Sequence, residues 1–112
     1  MNQRILCFSV DDLAVDPDGV AAAITQACAR RRAGRRVQAV CQTGADVYVV
    51  LFPLPSGERP ATYLLEAAAD VSSQGFVSLL NERYAAGLDV AGTVKVYDSV
   101  MVLFARKAPA PG

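Results

Sequence analysis

The chain has 112 residues, of which 53% are apolar and 20% are charged, a composition too apolar for an intrinsically disordered segment. Eleven basic and eleven acidic side chains leave no net charge, so no overall field draws the protein to nucleic acid or to a membrane surface. This length allows one hydrophobic core. We therefore expect a single α+β domain over residues 1–107 and a disordered tail over residues 108–112.

The chain lacks histidine, the side chain best suited to proton transfer at neutral pH and the commonest metal ligand. Its three cysteines, Cys7, Cys28 and Cys41, match no zinc or thioredoxin spacing, so we interpret them as reduced and structural. We expect no catalytic residue, no metal and no cofactor. No run of residues has the length of a signal peptide or a membrane span, which favours a cytoplasmic protein without membrane contact.

The first half of the chain predicts one helix between strands. Alternating apolar residues over Arg4–Val10 indicate a strand. Asp16 and Pro17 are typical of a helix start, and helical spacing then continues to Ala33. The β-prone segments 37–42 and 46–52, separated by a glycine-containing turn, predict a hairpin. An acidic group in this region could hold a hard cation, although helix capping is the simpler role: Asp11, Asp12, Asp16 and Asp18.

The second half begins with a proline-rich loop over residues 53–60. Two apolar stripes at helical spacing, over residues 64–71 and 76–84, predict a broken helix or two short helices that end at Gly87. Residues 88–107 are rich in valine and aromatic residues and predict a final hairpin with its turn at residues 97–99, or one long bent strand. No internal repeat is apparent.

This order of elements predicts a ferredoxin-like split βαββαβ fold with a possible extra C-terminal strand, in which the helices cover one face of an antiparallel sheet. The other face of such a sheet is normally polar. Here the two faces are both apolar: Leu6, Phe8, Val10, Val47, Val49 and Leu51 on one, and Ile5, Cys7, Tyr48, Val50 and Phe52 on the other. The pattern therefore predicts a homodimer interface or a ligand pocket on the second face.

Two groups of residues are candidates for binding. Aromatic side chains with a polar handle could line a small-molecule pocket, and we assign this role to Tyr48, Phe52 and Tyr97. A cluster of cations after the predicted helix could bind phosphate, nucleic acid or an acidic partner: Arg30, Arg31, Arg32, Arg35 and Arg36. The alternative is that these cations complement the helix C-terminus and keep the turn solvated.

Three segments resemble the C-terminal half of a small bacterial domain family of unknown function: residues 79–82 (Leu-Leu-Asn-Glu), residues 85–90 (Ala-Ala-Gly-Leu-Asp-Val) and residues 102–107 (Val-Leu-Phe-Ala-Arg-Lys). In that family a helix with Leu-Asn-Glu ends at a glycine and is followed by Trp-Glu-Leu-Val. The present chain has Leu88 at the tryptophan position and Asp89 at the glutamate position. The resemblance implies a helix end near Gly87 and a final hairpin, and it implies no activity.

Three functions remain open. The first hypothesis is a non-catalytic domain that forms a homodimer through its sheet and binds a small ligand or a protein partner. The second is a small cofactor-independent enzyme of the dimeric α/β-barrel type, in which tyrosine, aspartate or arginine side chains act. The third, anion or nucleic-acid binding through the arginine cluster, ranks below both because no aromatic residues are interleaved with the cations.

Overall fold

The computed structural model describes residues 3–29, 34–69 and 71–107. In chain order the elements are β1 (Arg4–Ser9), α1 (Val10–Val15), α2 (Pro17–Cys28), β2 (Arg35–Thr43), β3 (Asp46–Pro53), β4 (Thr62–Ala67), α3 (Ser73–Ala85), β5 (Leu88–Val96) and β6 (Ser99–Arg106). The strands form two antiparallel three-stranded sheets, sheet A in the order β1-β3-β2 and sheet B in the order β4-β6-β5. The α+β class is confirmed. The single ferredoxin-like sheet is not confirmed, because a second sheet is present.

Side-chain caps start the first two helices. The Ser9 hydroxyl accepts a hydrogen bond from the Asp12 N–H, and the Asp12 carboxylate accepts one from the Ser9 N–H, both at 3.1 Å. This capping box ends β1 one residue before the predicted boundary and opens a short helix that the sequence analysis missed. The Asp16 carboxylate then accepts from the Gly19 N–H at 3.0 Å, at the predicted start of α2. Asp12 and Asp16 are therefore caps.

The prediction of a helix over residues 64–71 is wrong. Thr62–Ala67 form strand β4, which pairs with β6 over its whole length. Leucine, glutamate and alanine are good helix formers, but intrinsic propensity is a small term, and pairing with the apolar strand β6 overrides it. The helix begins at Ser73, after Ser72 accepts a hydrogen bond from the Gly75 N–H at 3.2 Å, and it ends before Gly87, which has a φ of 88°.

Both predicted hairpins are present, and the C-terminal segment is a hairpin rather than one bent strand. Each two-residue turn begins in the left-handed region, with a φ of 59° at Gly44 and 54° at Tyr97. Left-handed backbone is typical of tight hairpin turns, where glycine adopts it without strain. Tyr97 is the one non-glycine residue with positive φ in the described part of the chain.

The main core lies between the two sheets and contains α1 and α2. Val47, Val49 and Leu51 of β3 face it from sheet A, and Met101 and Leu103 of β6 face it from sheet B. The helices contribute their buried residues Val10, Leu13, Val20, Ile24 and Cys28. A smaller core lies on the opposite face of sheet B, under α3, where Leu88, Val102 and Phe104 pack against Phe76, Leu79 and Leu80. The helices therefore do not share one sheet face.

The two halves of the chain have the same topology: a strand, a helical segment and a hairpin whose last strand lies in the middle of the sheet. Their hairpins also have the same register when 53 is added to each residue number, since Val37 pairs with Leu51 and Val90 pairs with Phe104. The extra residue that bulges each first strand, Gln38 or Ala91, is at the equivalent position. The structure is therefore an internal βαββ repeat.

The two halves meet along β2 and β5. The Gln42 side chain donates to the Lys95 carbonyl at 2.7 Å and accepts from the Lys95 N–H at 3.1 Å, as a neighbouring strand would. Further along, a Cβ added to Gly92 would lie 2.5 Å from a Val40 methyl group. Gln42 and Lys95 are equivalent residues, so equivalent strands of the repeat run side by side in the same direction.

Candidate functional site

One face of sheet A is apolar, and no helix of the described residues packs on it. We call it the outer face of sheet A, and cross-strand pairs define its centre: Ile5 opposite Val50, and Cys7 and Cys41 opposite Tyr48. Phe52 continues it along β3. Ile5 is 52% exposed and Phe52 is 37% exposed, and the other residues of this face are half-buried or exposed. Adjacent exposed apolar residues of this kind mark interaction surfaces.

The equivalent face of sheet B is buried. In the internal repeat Tyr48 and Val50 correspond to Met101 and Leu103, which are 7% and 2% exposed in the main core. Helix α2 of the first half accounts for the difference, because it packs most extensively against β4 of sheet B and much less against β2 of sheet A. The outer face of sheet A is thus equivalent to the face of sheet B that is buried in the main core.

Charges lie at the two ends of this outer face rather than in its middle. Arg36 is paired with Phe52 at one end, and Asp46 is paired with Ser9 and Thr43 at the other. The six residue steps from Asp46 to Phe52 separate these ends by about 20 Å along the strand. An antiparallel copy of the same face would therefore place each Arg36 near the Asp46 of its partner.

A cleft of about 550 Å³ lies at the end of the molecule away from the two hairpin turns. Its walls come from the start of β2, the loop before β4, the start of β5 and the end of β6. Its apolar lining is Val37, Leu54, Ala61, Val90, Ala91 and Ala105. Its charged lining is Arg36, Glu58, Arg59, Asp89 and Lys107.

Tyr63 forms one wall of this cleft and connects three elements. Its hydroxyl accepts a hydrogen bond from the Val37 N–H at 2.9 Å, beside the bulge of β2, and its own N–H donates to the Thr25 hydroxyl at 2.8 Å. Burial raises the pKa of Tyr63. Burial also raises the pKa of the Cys28 thiol and outweighs the hydrogen bond with Tyr63 and the charge of Arg35, which both lower it. Both groups are therefore protonated at neutral pH, as expected for structural side chains.

The structure separates the three aromatic residues predicted to bind a ligand. Tyr48 and Phe52 share the outer face of sheet A, whereas Tyr97 lies exposed in the β5–β6 turn. Two members of the predicted arginine cluster are described: Arg35 and Arg36 begin β2, and of these two Arg36 lines the cleft. Arg30, Arg31 and Arg32 lie outside the described residues, as does the predicted tail over residues 108–112. Arg59, which lines the cleft, was not among the predicted site residues.

Within the described ranges, no three histidine, cysteine, aspartate or glutamate side chains are grouped so that they could hold a metal ion. None of the helices in this part of the chain is long and apolar enough to cross a membrane. Comparison with protein-family models, curated proteins and solved structures finds no match to this chain. The resemblance of residues 79–107 to a bacterial domain family therefore stays a prediction.

Proposed function

We propose that this protein is a non-catalytic interaction module that forms a homodimer through the outer face of sheet A. The observation that carries the proposal is the difference between equivalent surfaces. Ile5, Val50 and Phe52 lie on the exposed face, whereas the equivalent face of sheet B lies in the main core. Covering the exposed apolar face removes it from water, which favours association.

A second copy of the chain complements this face in charge and can pack on it as one sheet packs on another. Sheet faces pack against one another about 10 Å apart with their side chains interdigitated. The centre of the face has no charged residue, so two copies meet without buried like charges. The antiparallel arrangement pairs Arg36 with the partner's Asp46 at both ends of a twofold interface.

The size of the face predicts a weak dimer. Three strands about 4.8 Å apart and six residues long at about 3.3 Å each give a footprint of roughly 300 Å². Standard stable interfaces bury about 800 Å² on each partner, and smaller ones are typical of transient assemblies. We therefore expect a dissociation constant in the micromolar range.

The test is light scattering coupled to size exclusion, over loading concentrations from low micromolar to submillimolar. The measured mass should rise from 11.8 kDa towards twice that value. Ile5→Asp should keep the protein monomeric throughout, since it places a charge in the centre of the interface. Val15→Asp is the matched control because Val15 is 84% exposed at the end of α1, away from this face.

Circular dichroism of both variants establishes that they are folded, and Phe52→Asp provides a second site on the same face. A wild-type protein that stays monomeric at submillimolar concentration would overturn the proposal. So would a dimer that Ile5→Asp and Phe52→Asp leave intact while Val15→Asp disrupts it.

A further inference from the structure

We infer that the cleft at the end of β2 binds a small amphiphilic anion, a carboxylate on a short apolar body. Arg36 also lies at one end of the outer face of sheet A, but the rest of the lining, including Arg59, lies outside that face, so the site can be tested apart from the dimer. The volume of about 550 Å³ falls within the range of roughly 300–1,000 Å³ that is usual for small-molecule sites.

The lining of the cleft supplies the apolar half of this specificity. Val37, Ala61 and Ala105 pack against the main core from the cleft side, so they form a floor that is fixed by the fold. Leu54 and Val90 extend the apolar surface towards the opening. An apolar chain that lies along this floor is removed from water, which favours binding. A small hydrated anion such as phosphate has no apolar surface to bury there.

The charges of the cleft supply the other half. Lys107 lies 3.9 Å from Asp89, so these two charges largely offset each other. Among the described residues neither Arg36 nor Arg59 forms an ion pair, and Glu58 is the remaining carboxylate of the lining. The excess positive charge favours an anionic ligand, and guanidinium groups bind a carboxylate through paired hydrogen bonds.

The wall that holds Arg36 is rigid, which lowers the entropy cost of binding. The Tyr63 hydroxyl fixes the backbone of Val37 next to Arg36. Leu54, which precedes the loop with Arg59, donates its N–H to the Gly34 carbonyl at 2.9 Å. The Glu58 N–H donates to the Pro55 carbonyl at 3.2 Å, so Arg59 follows a hydrogen-bonded turn, and both arginines line the same cleft.

The experiment measures the binding of octanoate to the full chain by isothermal titration calorimetry, with octanol, octylamine and acetate as matched probes. We expect octanoate to bind more tightly than the other three. Lengthening the carboxylate from butanoate to octanoate should raise the affinity about twofold for each added methylene. Complete burial of a methylene would raise it roughly fourfold, and the open cleft buries each one only in part. Affinity should fall as salt rises.

The variants locate the site. Arg59→Ala should weaken octanoate binding by about tenfold, and Arg36→Ala should act in the same direction, since each removes a charged hydrogen bond. Glu58→Gln should strengthen binding, because it removes a like charge. Lys95→Ala is the control: it also removes a cation, but it lies beside Gln42 at the other end of β2, and binding should change by less than about twofold.

Equal binding of octanol would overturn the role of charge, and equal binding of acetate or inorganic phosphate would overturn the role of the apolar floor. An octanoate affinity that Arg59→Ala and Arg36→Ala leave unchanged would place the ligand elsewhere, and absence of saturable binding would overturn the site itself. The mass of each variant is measured by light scattering on the same sample. Arg59 lies outside the outer face of sheet A, so loss of octanoate binding by an Arg59→Ala protein that still dimerises separates this inference from the proposed function.

Discussion

The two halves of the chain, residues 4–53 and 62–106, fold into sheets of the same topology but cover them differently. Sheet B lies between the main core on one face and α3 on the other, whereas sheet A has the main core on one face and, among the described residues, no helix on the other. The strands of both sheets are apolar on both faces. The difference therefore comes from the helices: α2 reaches across to β4, while α3 packs against β5 of its own half.

The hairpins of the two halves share backbone features although their sequences differ. The hairpins of both halves keep the bulge and the left-handed turn residue, yet only three of their nineteen equivalent positions are identical, at Val37, Val47 and Val49. Backbone geometry is thus kept where side-chain identity is not. This explains why no repeat is apparent in the sequence although one is present in the structure.

The largest expected effect contrasts equivalent residues on the buried and exposed faces. Leu103→Ala should lower the free energy of unfolding by about 2–5 kcal/mol, because Leu103 is fully buried and its removal leaves a cavity. Val50→Ala should cost about 1 kcal/mol or less in the monomer, since Val50 is only half-buried. Urea denaturation at low micromolar concentration measures both. Equal losses would contradict the difference in coverage between the two sheets.

A second contrast concerns the seam between the halves. Gly92→Ala should destabilise the protein by about 1–3 kcal/mol, because the new Cβ would overlap the Val40 side chain. The equivalent residue of β2 is Ala39, which already carries a Cβ. The double variant Gly92→Ala, Val40→Ala should lose less unfolding free energy than the sum of the losses of the two single variants. Additive losses in urea denaturation would show that Val40 is not what limits the size of residue 92.

A third contrast compares two tyrosines of the second half. Tyr63→Phe should cost about 1–3 kcal/mol, because it removes the acceptor of the Val37 N–H inside the structure. Tyr97→Phe should change stability by less than about 0.5 kcal/mol, because Tyr97 is exposed in a turn. Thermal unfolding of the two variants provides the measurement. An unchanged melting temperature for Tyr63→Phe would show that the Tyr63 hydroxyl does not stabilise the cleft wall.

The smallest effect tests how α3 is attached to sheet B. Arg83 donates to both oxygens of Glu66 on β4, at 2.8 and 2.5 Å, and this hydrogen bonding lowers the pKa of Glu66. A carboxylate whose pKa is lowered by folding stabilises the folded protein at pH values above its unfolded pKa of about 4.3. This contribution is lost as the pH falls through the lower pKa of the folded state. Glu66→Gln should therefore lower the urea midpoint slightly at neutral pH. The difference from wild type should shrink on acidification; a difference independent of pH would exclude this ion pair as its cause.

Part of this architecture follows from sequence, because strand alternation and caps are local. The partition of β1 and β3 into two apolar faces is confirmed, except that Val10 begins α1. Strand β4 was missed because the residues of 64–67 have helical propensity, and only pairing with β6 makes them extended. The cleft was missed because its walls come from four separate regions of the chain. That Arg36 and Arg59 line the same cleft is a consequence of topology that no local spacing shows.

Methyl NMR spectra recorded during dilution test the proposed interface most directly. With isoleucine and valine methyl groups labelled, we expect the signals of Ile5 and Val50 to shift as the protein is diluted from submillimolar to low micromolar concentration. The signals of Val15, exposed on α1, should not move. Signals of Ile5 and Val50 that stay constant over this range, or shifts confined to residues outside the outer face of sheet A, would contradict the account.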